Sequence, residues 1–306
     1  MSTAPVVPLV VVGPTASGKS DVAMAYAAAH PGAEIVAVDA MQVYRRMDIG
    51  TAKPTAADRA EVAHHCLDLA EPSDDFAVTD FTAAARAALH EIEQRGAQAV
   101  IVAGTGLYLR ALTDPMEIPG RWPEVRAELE ARADDVGPEV LHAELAALDP
   151  VAASRMEPSN ARRVVRALEV TRGSGRPFSS FGPGLDTYPP VPFVQVGLQW
   201  DRARLTQRIA QRVHRMLAGG LLGEVEALLA APLSLSRTAR QALGYKELID
   251  HLDGSTSLDE AVATIILRTR QFAVRQERWF RRDPRIRWVH IEHDPVAEVL
   301  PVLLSP

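Results

Sequence analysis

Cysteine is almost absent from these 306 residues, the single one being Cys66. An internal disulfide and any multi-cysteine metal cluster are thereby excluded, and a reducing compartment, the cytoplasm, is expected. The nine histidines show no HExxH or comparable spacing, and His64 and His65 are adjacent, so a transition-metal site is not expected. Lysine is scarce as well: Lys19, Lys53 and Lys246 are the only three, and arginine supplies the rest of the 33 basic residues. The apolar N-terminal run lacks basic flanks and passes straight into a glycine-containing turn, so neither a signal peptide nor a membrane span is expected. A net charge of −6 gives no overall positive field for a polyanion.

What is present is unevenly distributed. Between Asp201 and His290 there are 16 Arg and Lys against 10 Asp and Glu, and Arg268 to Arg287 alone holds eight arginines against Glu277 and Asp283. A basic face on an acidic chain is either a nucleic-acid footprint or an ordinary solvated helix surface. The length and the 47% hydrophobic content suit a large α/β domain with a smaller attached unit.

The first third alternates strand and helix: strand near 6 to 12, helix near 19 to 29, strand 34 to 40, helix near 79 to 95, strand 97 to 105. That order predicts an α/β fold with a parallel sheet flanked by helices, whose ligands sit at the carboxyl ends of the strands. From Pro123 to about Arg172 the pattern is wholly helical and charged, and the Gly/Pro-rich connector GSGRPFSSFGPG follows. We read residues 1–118 as the first part of the core, 119–188 as an all-helical insertion, and 189–306 as a return to the core, with strands at 193 to 200 and at IRWVHI and basic C-terminal helices.

Within VVVGPTASGKS, Gly13, Pro14, Thr15, Ala16, Ser17, Gly18, Lys19 and Ser20 fit G-x-x-x-x-G-K-[ST] between a strand and a helix, the phosphate-loop context. Successive backbone N–H groups there face one concavity and the next helix adds its positive end. Lys19 supplies a point charge, and the Ser20 hydroxyl is a ligand for Mg²⁺. A di- or triphosphate is the ligand such a loop holds. No Asp ends the strand VIVAG, which weakens a motor or switch-GTPase reading.

Asp39 ends the second strand, and two roles stand for it: metal ligand, water-orienting group or proton acceptor on one side, helix N-cap on the other. The stretch DAMQVYRRMDIGTAKP, 39 to 54, reads as a recognition loop with few apolar anchors. In AGTGLYLRAL the glycines permit close backbone approach and Thr105 offers a hydroxyl, or the segment is a plain strand-to-helix turn. Arg208, Arg212 and Arg215 share one helix stripe, either a clamp for a departing diphosphate or a solvated face. In TRQFAVRQERWFRR the spacing sets Phe272, Arg275 or Gln276, and Trp279 on one side, with the aromatics read as core and the arginines as phosphate-facing.

GPTASGKS, VDAMQVYRRMDIGTAKP, AGTGLYLRAL, NARRVVRALEV, QALGYKEL and TRQFAVRQERWF, in that order, resemble the successive signatures of the bacterial tRNA dimethylallyltransferases. The resemblance spans nearly the whole chain, and 39 to 54 is its most specific part. It implies a phosphate-loop NTPase-like fold whose loop grips the diphosphate of dimethylallyl diphosphate rather than ATP, with Mg²⁺ at Ser20. It also implies prenyl transfer to N6 of the adenosine beside the anticodon, with Asp39 as proton acceptor, Thr15 and Thr105 near the reacting centre, and Arg212 on the leaving group. The implied tRNA contacts are Asp39, Ala40, Met41, Gln42, Thr105, Arg126, Arg162, Arg163, Arg166, Gln241, Gly244, Tyr245, Lys246 and Arg275, with the helical insertion clasping the anticodon stem-loop of a substrate bound by a monomer. Ala40 stands where the family often has Ser, and Ala103 where it usually has Gly. On the residues alone, a phosphate-loop kinase and a non-catalytic RNA-binding module remain as rivals.

Overall fold

In the computed structural model, residues 7–182, 185 and 187–304 are described. Residue 6 of the expected first strand and residues 183 and 184 of the expected connector lie outside them. The chain divides into two compact units, Met1–Thr113 with Pro190–Pro306, and Asp114–Pro189. The second unit is thus a few residues longer than 119–188.

The larger unit carries one six-stranded sheet, made of β1 (Leu9–Val12), β2 (Ala33–Val38), β3 (His64–His65), β4 (Gln98–Ala103), β5 (Val194–Trp200) and β6 (Ile286–Ile291). Their order is β3-β2-β4-β1-β5-β6, with every pairing parallel. Helices α1 (Lys19–Ala29), α2 (Ala56–Glu61), α3 (Val78–Gln94) and α4 (Gly106–Thr113) belong to this unit, and α5 (Pro123–Val136), α6 (Pro138–Leu148), α7 (Pro150–Ala153) and α8 (Ala161–Ser174) to the smaller one. After β5 the larger unit resumes with α9 (Arg202–Ala218), α10 (Leu221–Leu229), α11 (Arg237–Arg240), α12 (Tyr245–Leu252), α13 (Leu258–Phe280) and, after β6, α14 (Pro295–Leu304).

The four residues of β1 are buried on both faces, as a central parallel strand requires, which is why the run reads as unbroken valine rather than as alternation. One face packs Val10, Val12, Val36, Val38 and Ile101 against α3, α10, α12 and α13; the other packs Val11, Ile35 and Val196 against α1, α9 and α14. In the smaller unit, Leu129, Leu141, Leu145, Val164 and Leu168 close a separate helical core. Pro at the first turn of α5, α6 and α7 marks each helix start, where its missing N–H has no partner to lose.

The stretch 39 to 54 departs from the expected loop with few anchors. Val43, Tyr44 and Met47 are fully buried, and Lys53 Nζ donates to Tyr44 O (2.7 Å), Asp48 Oδ1 (2.6 Å) and Asp68 Oδ1 (2.7 Å). From α10, Glu224 accepts the N–H groups of Asp48 (2.9 Å), Ile49 (2.7 Å) and Gly50 (3.1 Å), and the Tyr245 hydroxyl (2.6 Å). A segment without regular structure is thus held by side chains that satisfy its backbone.

Candidate active site

Val12, Ala103 and Val38 are level across β1, β4 and β2. The residues that follow, Gly13, Gly104 and Asp39, therefore leave the sheet at one height, at the carboxyl edge where open parallel sheets bind ligands. A cavity of about 540 Å³ opens there, lined by Thr15 to Ser20, Asp39, Gln42, Ile49, Thr51 to Pro54, Gly104, Arg208, Arg212, Arg215, Phe272 and Gln276, among others.

The phosphate loop is shaped by two left-handed residues, Ala16 (φ 63) and Gly18 (φ 94). Gly18 has no alternative, because a Cβ there would stand 2.5 Å from Pro295 Cγ. The outer carbonyls of the loop are tied down: Trp200 Nε1 donates to Ser17 O (2.9 Å) and Arg208 Nε to Ala16 O (2.9 Å). The Arg208 guanidinium also stacks over Trp200 at 4.4 Å. Lys19 Nζ bonds Pro14 O at 2.8 Å, and burial pushes its ammonium down to about 7, with Arg212 adding to the shift and Asp39 opposing it. Burial likewise lowers Arg212, which Asp39 partly offsets. Cations that pull one another's pKa down define a site for an anion.

Asp39 caps a turn and not a helix, since the first helix after β2 is α2. Its Oδ1 accepts the N–H groups of Met41 (2.8 Å) and Gln42 (3.3 Å), holding the turn, while Oδ2 lies 3.5 Å from where a Cβ on Gly104 would stand. Thr105 follows Gly104, and its hydroxyl accepts the Ala40 N–H at 3.2 Å. Thr15, Asp39 and Arg212 therefore share the cavity wall, and Thr105 sits beside it.

Several expected contacts take other places. Tyr245 is 1% exposed and Gly244 is buried; the Tyr245 ring packs on Gly50 with its hydroxyl on Glu224, so its side chain belongs to the core instead of an RNA surface. Met41 packs partly against the core. In the helical unit, Arg166 is engaged by Glu169 Oε1 (2.8 Å) and by the carbonyls of Pro119 and Gly120, and Arg126 by Glu130. Arg162 and Arg163 are exposed there. Gln241 is exposed, Lys246 pairs with Asp250 (2.5 Å), and Arg275 is exposed over Phe272 at 5.8 Å. The aromatic row of α13 is mixed rather than core: Phe280 is buried but Phe272 is 36% exposed and lines the cavity. Helical spacing alone does not separate a core face from a cavity wall.

Sequence reasoning missed Gln276, set only as an alternative to Arg275. Its Oε1 accepts the Thr15 N–H at 2.8 Å and its Nε2 donates to Gly104 O at 2.7 Å. It also missed Glu224, whose part is visible only in three dimensions because its partners lie about 175 residues away.

Fold and site together define a phosphate-loop α/β protein with a cationic cradle facing a carboxylate. A family model described as IPP transferase matches residues 42–283. The tRNA dimethylallyltransferase of Kineococcus radiotolerans is 49% identical over 97% of this chain and 98% of its own, and that of Streptomyces coelicolor 46% over 94% and 92%. Among solved structures, a tRNA isopentenylpyrophosphate transferase from Bacillus halodurans matches with TM-score 0.68 at 36% identity, covering 97% of this chain and 95% of that one. A eukaryotic dimethylallyltransferase acting on tRNA matches with TM-score 0.77 at 25% identity, covering 92% and 73%. The chain belongs to the IPP transferase family.

Proposed function

We propose that the chain transfers the dimethylallyl group of dimethylallyl diphosphate to N6 of the adenosine beside the anticodon (A37) of tRNA, releasing diphosphate. The observation that carries this reading is the single cavity joining the phosphate loop and the arginine stripe of α9 to Asp39. One end suits a leaving diphosphate and the other a nucleophile that must lose a proton. The bond from C1 to the diphosphate oxygen breaks, the bond from N6 to C1 forms, and the N6 proton passes to the Asp39 carboxylate. Negative charge develops on the diphosphate, where the loop amides, Lys19 and Arg212 act. An exocyclic amine is a weak nucleophile, so alignment supplies much of the acceleration, and the adenine must leave its stack to reach the cavity.

Mg²⁺ is part of this proposal as an ion that travels with the diphosphate. Among the described residues no three His, Cys, Asp or Glu side chains cluster so as to hold a metal. The cavity-lining Ser20 hydroxyl fits a hard cation that keeps most of its waters and takes its other ligands from substrate phosphates. When bound, such an ion neutralises charge on the leaving group. Exposed Arg162, Arg163, Gln241 and Arg275 are the proposed contacts to tRNA phosphates and bases, with the protein acting as a cytoplasmic monomer. Among the described residues no helix is long and apolar enough to cross a membrane.

The kinase reading is not favoured, since the relatives are named as prenyl transferases. The deciding experiment incubates the protein with unmodified tRNA and labelled dimethylallyl diphosphate, without nucleoside triphosphate. Label entering tRNA supports the proposal. Binding of tRNA without label transfer, or transfer that requires ATP, overturns it.

A further inference from the structure

Gln276 is 7% exposed, yet its amide is directed at the cavity wall rather than at hydrophobic neighbours. The two bonds fix its orientation, because the Thr15 N–H can only donate and the Gly104 carbonyl can only accept. Gly104 leads into Thr105, whose hydroxyl receives the Ala40 N–H. Three hydrogen bonds, bridged by the covalent step from Gly104 to Thr105, therefore join the phosphate loop, through α13, to the turn that carries Asp39. Few side chains serve such a bridge: a carboxylate has no donor, an ammonium has no acceptor, and Asn is one methylene shorter.

We infer that Gln276 is a positioning residue that sets the spacing between the phosphate loop at Thr15 and the wall formed by Asp39 and Thr105, holding the donor carbon in line with the acceptor amine. The inference rests on the prenyl-transfer reading above. Gln276 acts through Thr15 and Gly104, so its loss lowers the rate of the chemical step more than it weakens either substrate.

The test uses the full chain carrying Gln276→Glu or Gln276→Met, with single-turnover prenyl transfer to unmodified tRNA measured against pH. A protonated Glu carboxyl accepts from Thr15 N–H and donates to Gly104 O. Its ionised form has no donor and sets negative charge against that carbonyl oxygen. The other ionisable groups lining this cavity are Lys19 and Asp21 on α1, Asp39 after β2, Lys53, Asp58 on α2, His64 on β3, and Arg208, Arg212 and Arg215 on α9, with Tyr108 of α4 near Asp39. All of them are common to the two proteins, so a pH dependence in the ratio of variant to wild-type rate traces to the carboxyl introduced at residue 276. Gln276→Glu is expected to run at least about tenfold below wild type near pH 8 and to recover toward it near pH 5.5. Gln276→Met is expected to be slow by a similar factor at every pH, with the donor KM changed less than about threefold. Should the Met variant fold poorly in thermal unfolding, the isosteric Glu variant and its ratio decide alone. A pH-independent Glu ratio, or wild-type rates in Gln276→Met, overturns the inference. Absence of transfer by the wild-type protein refutes the functional reading on which it rests.

Discussion

Lys19 should take up a proton when the diphosphate binds. In the protein by itself the ammonium sits at about 7, pushed down from 10.5 first by burial and then by Arg212. A polyanion beside Nζ reverses both effects and returns the group toward its ordinary value. The sign follows directly: above pH 7 the free protein has lost a proton that the complex keeps, so raising the pH opposes binding. Well above pH 7 each unit of pH is worth about 1.4 kcal/mol, or tenfold in Kd, and from about pH 7 to pH 9 the affinity should fall roughly fiftyfold. A phosphate's own last proton, with a pKa near 6, leaves below this window. Isothermal titration of dimethylallyl diphosphate without tRNA, in two buffers of different ionisation enthalpy, reads the proton count. Uptake approaching one proton is expected near pH 8.5. Lys19→Arg keeps the charge at every pH and should flatten the slope. A wild-type Kd constant to within about twofold from pH 7 to pH 9, or no proton uptake, would refute the reasoning.

Three further outcomes follow from contacts already described. Asp39→Asn retains an acceptor for the Met41 and Gln42 N–H groups but cannot take a proton, so prenyl transfer should fall by about 10² to 10⁴ while tRNA affinity, measured by filter binding, stays close to wild type. Gly106→Ala places a Cβ 1.9 Å from Trp279 Cδ1, and the overpacking should destabilise the fold by about 1–3 kcal/mol in urea unfolding; an unchanged midpoint contradicts the close approach. Glu224→Ala leaves the N–H groups of residues 48 to 50 without their acceptor and should cost about 1–3 kcal/mol, with faster amide hydrogen exchange confined to that segment as its signature.

The alternation of β1, α1, β2, α3 and β4 was legible because valine runs, an alanine-rich helix and glycine punctuation each follow from local chemistry. So was the phosphate loop, whose residues act together within eight positions. The two-residue β3 and the short α2, α11 and α12 were not, since none is long enough to show a period. Residues 39 to 54 looked unanchored because Lys53 and Tyr44 are polar by composition. Lys53 is buried against Asp48 and Asp68, and Glu224 satisfies the backbone of residues 48 to 50; Asp68 and Glu224 lie outside the segment, where no pattern within it announces them. Tyr245 was misplaced for the same reason: membership in a motif says that a residue matters, not which way its ring points. Gln276 was hidden between arginines whose charge drew the reading toward RNA.

The position of β4 between β1 and β2 has a consequence of its own. Adjacent strands lie about 4.8 Å apart, so the strand ends that give rise to the phosphate loop and to Asp39 are separated by two strand widths, roughly 10 Å. That separation of strand ends is a ruler cut from main-chain geometry, on which side chains such as Gln276 make the fine adjustment. Substitutions in the cavity wall can thereby alter the lining of the gap while the separation of its two main-chain edges stays constant.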